Sequence, residues 1–238
     1  MVPAVQGAGF QTVVPWLRGF GPTSFLSSET MRSGEMVAMA QDTLDLADAL
    51  KLNTFAVVGH DWGARIAYVL AAVHPERTTR ICAMSVGWQP GELPTPALEQ
   101  VRKYWYQWFM ATDRGSEAVR RDRKALARIQ WETWAPREGE FEITAKSFEN
   151  PDWPDITLHS YRVRWGEADK DPRYRDIDRR AKAAHDSGWR RWRYLGGYNR
   201  RKRETLRRWL PATRAGRSWP FSNARSARRR EQAADRFP

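Results

Sequence analysis

At 238 residues the chain has the length of one domain or two. Its single cysteine, Cys82, excludes an intrachain disulfide; no apolar run approaches a membrane span and no signal-peptide pattern opens the chain, so a soluble, cytoplasmic protein is the default expectation. The net charge of +12 belongs to one end: residues 179–238 carry 19 Lys+Arg against 4 Asp+Glu, whereas residues 1–178 sum to −3.

In chain order, the first strong periodicity predicts a helix over residues 33–50, with Met36, Ala40, Leu44, Ala47 and Leu50 on a core-facing stripe and Asp42, Asp45 and Asp48 off it. Ser33-Gly34-Glu35-Met36 and Lys51-Leu52-Asn53 are its boundaries. The apolar run Phe55 to Val58 predicts a strand that ends in Gly59-His60-Asp61-Trp62-Gly63, and a helical pattern follows over Ala64 to His74. Strand, sharp turn and helix in that order make a nucleophile elbow, where the two glycines leave room for a turn so tight that the residue between them is strained and exposed. That residue is Asp61. A carboxylate there attacks carbon directly and forms an ester with the protein. Ile81 to Val86 predicts a second short strand, with Cys82 in it as a small buried residue. Residues 96–165 read as helices with Trp105, Trp108, Phe109, Trp131 and Trp134 on apolar faces, and Asn150-Pro151-Asp152-Trp153-Pro154 as a joint between two of them.

These residues resemble the α/β-hydrolase superfamily, and within it the epoxide hydrolases and haloalkane dehalogenases. Gly59-His60-Asp61-Trp62-Gly63 is similar to the elbow of both groups. Thr12-Val13-Val14-Pro15-Trp16-Leu17-Arg18-Gly19-Phe20-Gly21 is similar to the family's fourth strand and exit loop, and His74-Pro75-Glu76-Arg77 with Ile81 to Val86 to the end of the elbow helix and the sixth strand. The resemblance covers roughly residues 1–175, and it is specific because strand, elbow, helix and upstream motif come in the family's order. The helices that follow match the family's cap, which roofs the active site. Within it Tyr106-Gln107-Trp108-Phe109 is similar to an epoxide-hydrolase motif whose tyrosine points at the substrate, and His159-Ser160-Tyr161-Arg162 to a second such segment. Two phenols suit epoxide opening, which creates an alkoxide that needs hydrogen-bond donors and then a proton. A halide leaving group needs indole or amide N–H donors instead; Trp62 could supply one, so the dehalogenase alternative stays open.

The resemblance implies a two-step reaction without metal or organic cofactor. Asp61 attacks an epoxide carbon while Tyr106 and Tyr161 hold the ring oxygen; a histidine oriented by a second carboxylate then activates water, with the Trp62 N–H among the oxyanion donors. Plainer roles are expected nearby: Trp62 lines the pocket, His60 is a packed, hydrogen-bonded residue, Arg65 is a structural ion-pair partner, and the cap aromatics are first of all core.

Other family features have no counterpart. No Gly-His-Phe or Gly-His-Trp turn follows the cap, where only His185 occurs, read as a solvated loop histidine, and Gly87-Trp88-Gln89-Pro90 brings no carboxylate before Glu92. Met1 to Gln6 reads as the end of the helix after the family's His-Gly-X-Pro loop, so strands one to three are expected to be missing, which leaves unpaired edges between the fourth and fifth. Residues 179–238 contain no Val, Ile or Met and only Leu195, Leu206 and Leu210, too little to offset ordering entropy. Two readings of this segment stand, a basic arm for an anionic surface or an out-of-frame translation of a GC-rich gene. The second is favoured because it accounts for the lost histidine too, and neither is evidence of a nucleic-acid function.

The expectation is therefore an α/β protein with a partial α/β-hydrolase sheet at 1–90, a helical cap at 91–178 and a disordered or frame-shifted Arg-rich tail at 179–238. Asp61 is the catalytic candidate, with Trp62, Tyr106 and Tyr161 on a small apolar substrate such as an epoxide. Turnover is expected to be impaired for want of the histidine and its acid. A non-catalytic fragment with a basic binding tail is the other alternative, and the sequence does not speak to oligomeric state.

Overall fold

A computed structural model of the chain describes residues 1–88, 96–134 and 140–186. The chain divides into two units, Met1–Thr12 with Arg200–Pro238, and Val13–Asn199. Of the first, the described part is the short helix α1 (Val2–Gly7), with Pro in its first turn and the Gln6 amide donating to Thr12 Oγ1 at 3.0 Å.

In the second unit, α2 (Met36–Ala49), β1 (Phe55–His60), α3 (Trp62–Val73) and β2 (Thr78–Met84) form the α/β core. β1 and β2 run parallel, with Val57 opposite Ile81 and His60 opposite Met84, and one irregularity after Phe55. Parallel neighbours need a crossover, and α3 is that crossover. Its apolar content goes all round, so it is buried on two sides: Ile66, Val69, Leu70 and Val73 pack against Val37, Met39, Ala40 and Leu44 of α2, while Ala64, Ala67, Tyr68 and Ala71 pack on Ile81 and Ala83 of β2. The opposite face of β1, with Ala56, Val58 and His60, is exposed.

The helix expected from residue 33 starts at Met36, and its stripe includes Ala40, Leu44 and Ala47, but Leu50 is exposed beyond the C-terminus. The three aspartates do face outward: Asp42 pairs with Arg18, Asp48 with Arg77, and Asp45 accepts from Gln41.

Residues 12–21, expected to hold a strand, form none. Val13, Val14 and Trp16 are 49%, 69% and 55% exposed, and among the described residues the sheet has two strands only. An extended segment without a neighbour to bond gains nothing from a ladder. What fixes this segment is Arg18. Its guanidinium donates to Asp42 at 2.5 and 2.6 Å, to the carbonyls of Ser33 and Ala38, and to the Tyr174 hydroxyl at 3.2 Å.

A helical segment follows, with α4 (Leu98–Lys103), α5 (Trp105–Ala111), α6 (Asp113–Arg121), α7 (Arg123–Trp134), α8 (Glu140–Ala145) with a 3-10 turn at Lys146–Glu149, and α9 (Trp153–Arg164). Its core gathers Met110, Val119, Leu126, Trp153 and Leu158, with Phe20 of the core domain packed against it. Trp108 stacks on Trp165 and Trp131 meets Phe141 edge-on, whereas Trp105 is exposed rather than core; the Trp134 side chain lies outside the described residues. The expected joint at 150–154 is a tether: the Asn150 amide donates to the carbonyls of Gly21 and Thr23, both at 2.8 Å. α9 lies so close to the loop before α2 that a Cβ on Gly34 would stand 2.0 Å from the Ile156 carbonyl oxygen.

The last described helix, α10 (Arg175–Asp186), runs eight residues into the segment read as tail. Ala181 is buried in the core with α3, and Arg180 donates to the Val73 carbonyl at 2.7 Å, satisfying an end of α3. One apolar stripe, Ile177 and Ala181, is enough to dock a helix, and a composition averaged over sixty residues hides it. His185 is on this helix and not in a loop, with its ring edge-on to Trp88 at 5.2 Å. Residues 187–238 lie outside the described residues, as do Gln89, Pro90 and Glu92. Among the described residues no helix is long and apolar enough to cross a membrane.

Candidate active site

Asp61 stands where β1 ends and α3 begins, at φ 51° and ψ −108°, a left-handed conformation that a non-glycine residue adopts only at a cost of about 1–3 kcal/mol. Its backbone is pinned on both sides: the N–H donates to the Met84 carbonyl at 3.2 Å, and its own carbonyl accepts from the Arg65 N–H at 3.2 Å. Of the two glycines, Gly59 is the one required. A Cβ there would meet the Gly63 carbonyl oxygen at 2.0 Å, whereas at Gly63 no described atom comes within 4 Å of that position. An aspartate before a helix usually caps it by accepting a hydrogen bond from the first turn. The Asp61 carboxylate makes no such bond and is exposed to a cavity. As the first residue of α3, Trp62 has an N–H with no helical carbonyl to bond.

That cavity, about 790 Å³, lies between the elbow and the helices that follow β2. Asp61, Trp62, Tyr106 and Tyr161 all line it. Tyr161 is the hub: its ring lies 6.0 Å from Trp62 and 5.9 Å from Tyr106, the latter perpendicular, and Trp62 is held from behind by Phe20 at 5.9 Å. Burial raises the pKa of both phenols above the ordinary value, with the negative charge of Asp61 adding to each. Both hydroxyls are therefore protonated donors at neutral pH.

Two other residues differ from their expected roles. His60 is exposed, not packed, and lines the same cavity; Arg65 makes no ion pair among the described residues. Arg65 lies inside the wall of the cavity, where burial lowers its pKa and the charge on Asp61 opposes that. The sequence reading missed Arg164 altogether. It sits one turn after Tyr161 on α9 and lines the cavity with it; that i, i+3 spacing was the available signal. His159 is the reverse case: its Nδ1 accepts from the Gly34 N–H at 3.0 Å and its Nε2 meets the Asp169 carbonyl at 3.1 Å, so one nitrogen ties α9 to the loop before α2 and the other to the segment that follows α9. Among the described residues the cavity lining holds one carboxylate, Asp61, and one histidine, His60, and no cluster of metal-ligating side chains occurs.

Residues 1–209 match the family model of the alpha/beta hydrolase fold, well past the stretch in which the motifs are legible. Epoxide hydrolase B of Mycobacterium tuberculosis is 35% identical over 86 residues, which is 36% of this chain and 23% of that protein. An epoxide hydrolase of Caballeronia sordidicola is 32% identical over 83 residues, 35% of this chain and 25% of the relative. The matched stretch thus spans about a quarter of the length of these curated relatives. Among solved structures, one from Klebsiella pneumoniae assigned as an epoxide hydrolase superposes with a TM-score of 0.71 at 34% identity, covering 76% of this chain and 63% of that one. A Pseudomonas aeruginosa structure with the same assignment, at 21% identity and TM-score 0.57, shares the fold.

Proposed function

Because this chain belongs to the α/β-hydrolase fold family, we propose that it is of the epoxide-hydrolase type and carries out the first half of that reaction. An Asp61 oxygen attacks a ring carbon of an epoxide; the C–O bond to the ring oxygen breaks, and the alkoxide takes a proton from one phenol while the other donates a hydrogen bond. The observation that carries this reading is the convergence of an uncapped, strained carboxylate with two protonated phenols on one cavity wall. The phenols act as electrophilic donors where charge develops, and no cofactor enters the step.

Hydrolysis of the resulting ester needs a base and an acid to orient it. His60 shares the cavity with no second carboxylate among the described lining residues. With these groups alone the ester is expected to persist, one per chain.

Incubating the full chain with styrene oxide and recording intact and peptide mass tests this. A stoichiometric adduct on the Asp61 peptide is expected, absent in Asp61→Asn and slowed about 10²-fold in Tyr161→Phe, the loss of one donor to the developing oxyanion. A folded chain that takes no label, or that is labelled by a haloalkane and not by the epoxide, refutes the assignment.

A further inference from the structure

Arg65 and Arg164 come from different elements, the first turn of α3 and the last turn of α9, and border both the large cavity and a smaller one of about 180 Å³ beside it. Together with Trp62 and Tyr161 they form the wall between the two. Neither guanidinium has an ion-pair or hydrogen-bond partner among the described residues, and the Nε of Arg164 is buried without an acceptor, as is the indole nitrogen of Trp165 beside it. By contrast the other half-buried arginines of the fold are satisfied: Arg18 by Asp42, Arg32 by Asp152, Arg162 by Asp113 and the Ala111 carbonyl.

Two like charges turned to one cavity repel. Burial, and then the charge of Arg65, lowers the Arg164 pKa to about 10, with Tyr161, Asp61 and Tyr106 as the groups that oppose the shift. Leaving the buried Arg164 Nε without an acceptor is costly, since an unsatisfied charged group forfeits its solvation without return. Among the described residues Asp61 is the only carboxylate lining the large cavity, so on that side the charge of the lining is +1 and a monoanion would neutralise it; on the side of the smaller cavity Glu35 accepts from the Asp171 N–H and Asp178 pairs with Lys170 and Lys182. A planar carboxylate fits, because a guanidinium fork matches its two oxygens. The same anion would otherwise be repelled by Asp61, and the arginines remove that repulsion.

We infer that Arg65 and Arg164 form a carboxylate-binding site beside Asp61, so that the epoxide taken by this chain carries a carboxylate. This rests on the reading of Asp61 as the attacking group, but the arginine site can be tested apart from it. Titration calorimetry of the full chain with 4-ethylbenzoate and with its neutral amide measures the site without chemistry. The carboxylate is expected to bind at least about tenfold more tightly, with the preference lost in Arg65→Gln and in Arg164→Gln and partly kept in Arg164→Lys, each variant first shown to melt like the parent. Equal affinities for the two compounds, or a preference that survives both Gln variants, overturn the inference.

Labelling of Asp61 by 4-(oxiran-2-yl)benzoate and by its methyl ester separates the two claims. Faster labelling by the benzoate supports both. Labelling by the ester at an equal or greater rate leaves the epoxide reading standing and removes the carboxylate site. Labelling by neither, with arginine-dependent benzoate binding intact, leaves the site standing and removes the epoxide reading.

Discussion

The elbow makes a prediction in which two residues that look equivalent in sequence part company. Gly59 and Gly63 flank Asp61 symmetrically, and each is to be replaced by alanine. At position 59 the new methyl stands 2.0 Å from the Gly63 carbonyl oxygen and 2.2 Å from its carbon, so ordinary contact at 3.4 Å demands a shift of about 1.4 Å. Both sides of the clash are backbone: β1 is held by its ladder to β2, and Gly63 by the start of α3. Neither can swing aside as a side chain would. Overpacking of this kind costs about 1–3 kcal/mol, and the rigidity of both partners places Gly59→Ala at the upper end. At position 63 the methyl meets nothing described within 4 Å, and the residue is in the first turn of a helix, where alanine is favoured over glycine by up to about 1 kcal/mol. Urea titration of the full chain, followed by tryptophan fluorescence and far-UV circular dichroism, measures both. Gly59→Ala should lower the midpoint markedly and abolish Asp61 labelling; Gly63→Ala should leave or raise the midpoint. Equal effects of the two substitutions would refute the argument that the turn is closed by the one contact between 59 and 63.

The Arg18–Asp42 pair should respond asymmetrically, because Arg18 is 8% exposed and Asp42 42%. Asp42→Ala leaves the buried Arg18 cation only the Ser33 and Ala38 carbonyls and the Tyr174 hydroxyl and is expected to cost about 1.5–3 kcal/mol, more than Arg18→Met, which leaves an aspartate that water can reach; urea midpoints in the opposite order would contradict this. Glu35 is buried, and burial raises its pKa above 4.5 despite a 2.7 Å bond from the Asp171 N–H and the charge of Lys170. An acid whose folded pKa is raised binds its proton more readily folded than unfolded, so stability falls as pH rises from about the ordinary value through the folded one. Glu35→Gln should therefore match the parent below about pH 4.5 and exceed it in urea midpoint at pH 7, and a variant weaker than the parent at neutral pH would reverse the sign of the argument.

What could be read from sequence here is what local chemistry decides. The run from Phe55 to Met84 is contiguous, and every feature that shapes it lies within it: an apolar strand, a glycine that a backbone contact requires, a helix apolar on all sides, and a second strand close enough to pair. Tyr106 and Tyr161 were legible for a different reason, namely motif similarity, and their meeting with Asp61 on one cavity depends on tertiary packing that no spacing reveals. Arg65 was misjudged because an arginine on a helix next to a carboxylate is ordinarily its ion-pair partner, and only the fold shows that it faces a cavity. Arg164 has no carboxylate close by on its helix; its one signal in sequence is the i, i+3 spacing from Tyr161. The strand expected near residues 12–18 failed because strand formation is not local: Val13 and Val14 have suitable character, but a ladder needs a partner. α10 was missed because a composition average dilutes a two-residue stripe.

The elbow also shows how the two strands found among the described residues help to hold the strained Asp61. The left-handed turn at Asp61 would relax if either flanking element were free to follow it. Its N–H is tied to Met84 at the end of β2, and its carbonyl to the N–H of Arg65 in the first turn of α3. α3 in turn is clamped between α2 and β2, with Ala64, Ala67, Leu70 and Ala71 fully buried, and α10 closes its far end through Arg180. The strain of about 1–3 kcal/mol is thus opposed by packing that does not pass through the open face of β1. It follows that damage on that face, for example Val58→Ser at an exposed position, should leave Asp61 labelling intact, whereas a cavity under α3, such as Leu70→Ala, should lose labelling along with about 2–5 kcal/mol of stability. If the exposed-face change removed labelling while the urea midpoint stayed unchanged, the nucleophile would have to be held from the other side of the sheet, and the account of its strain would need a different support.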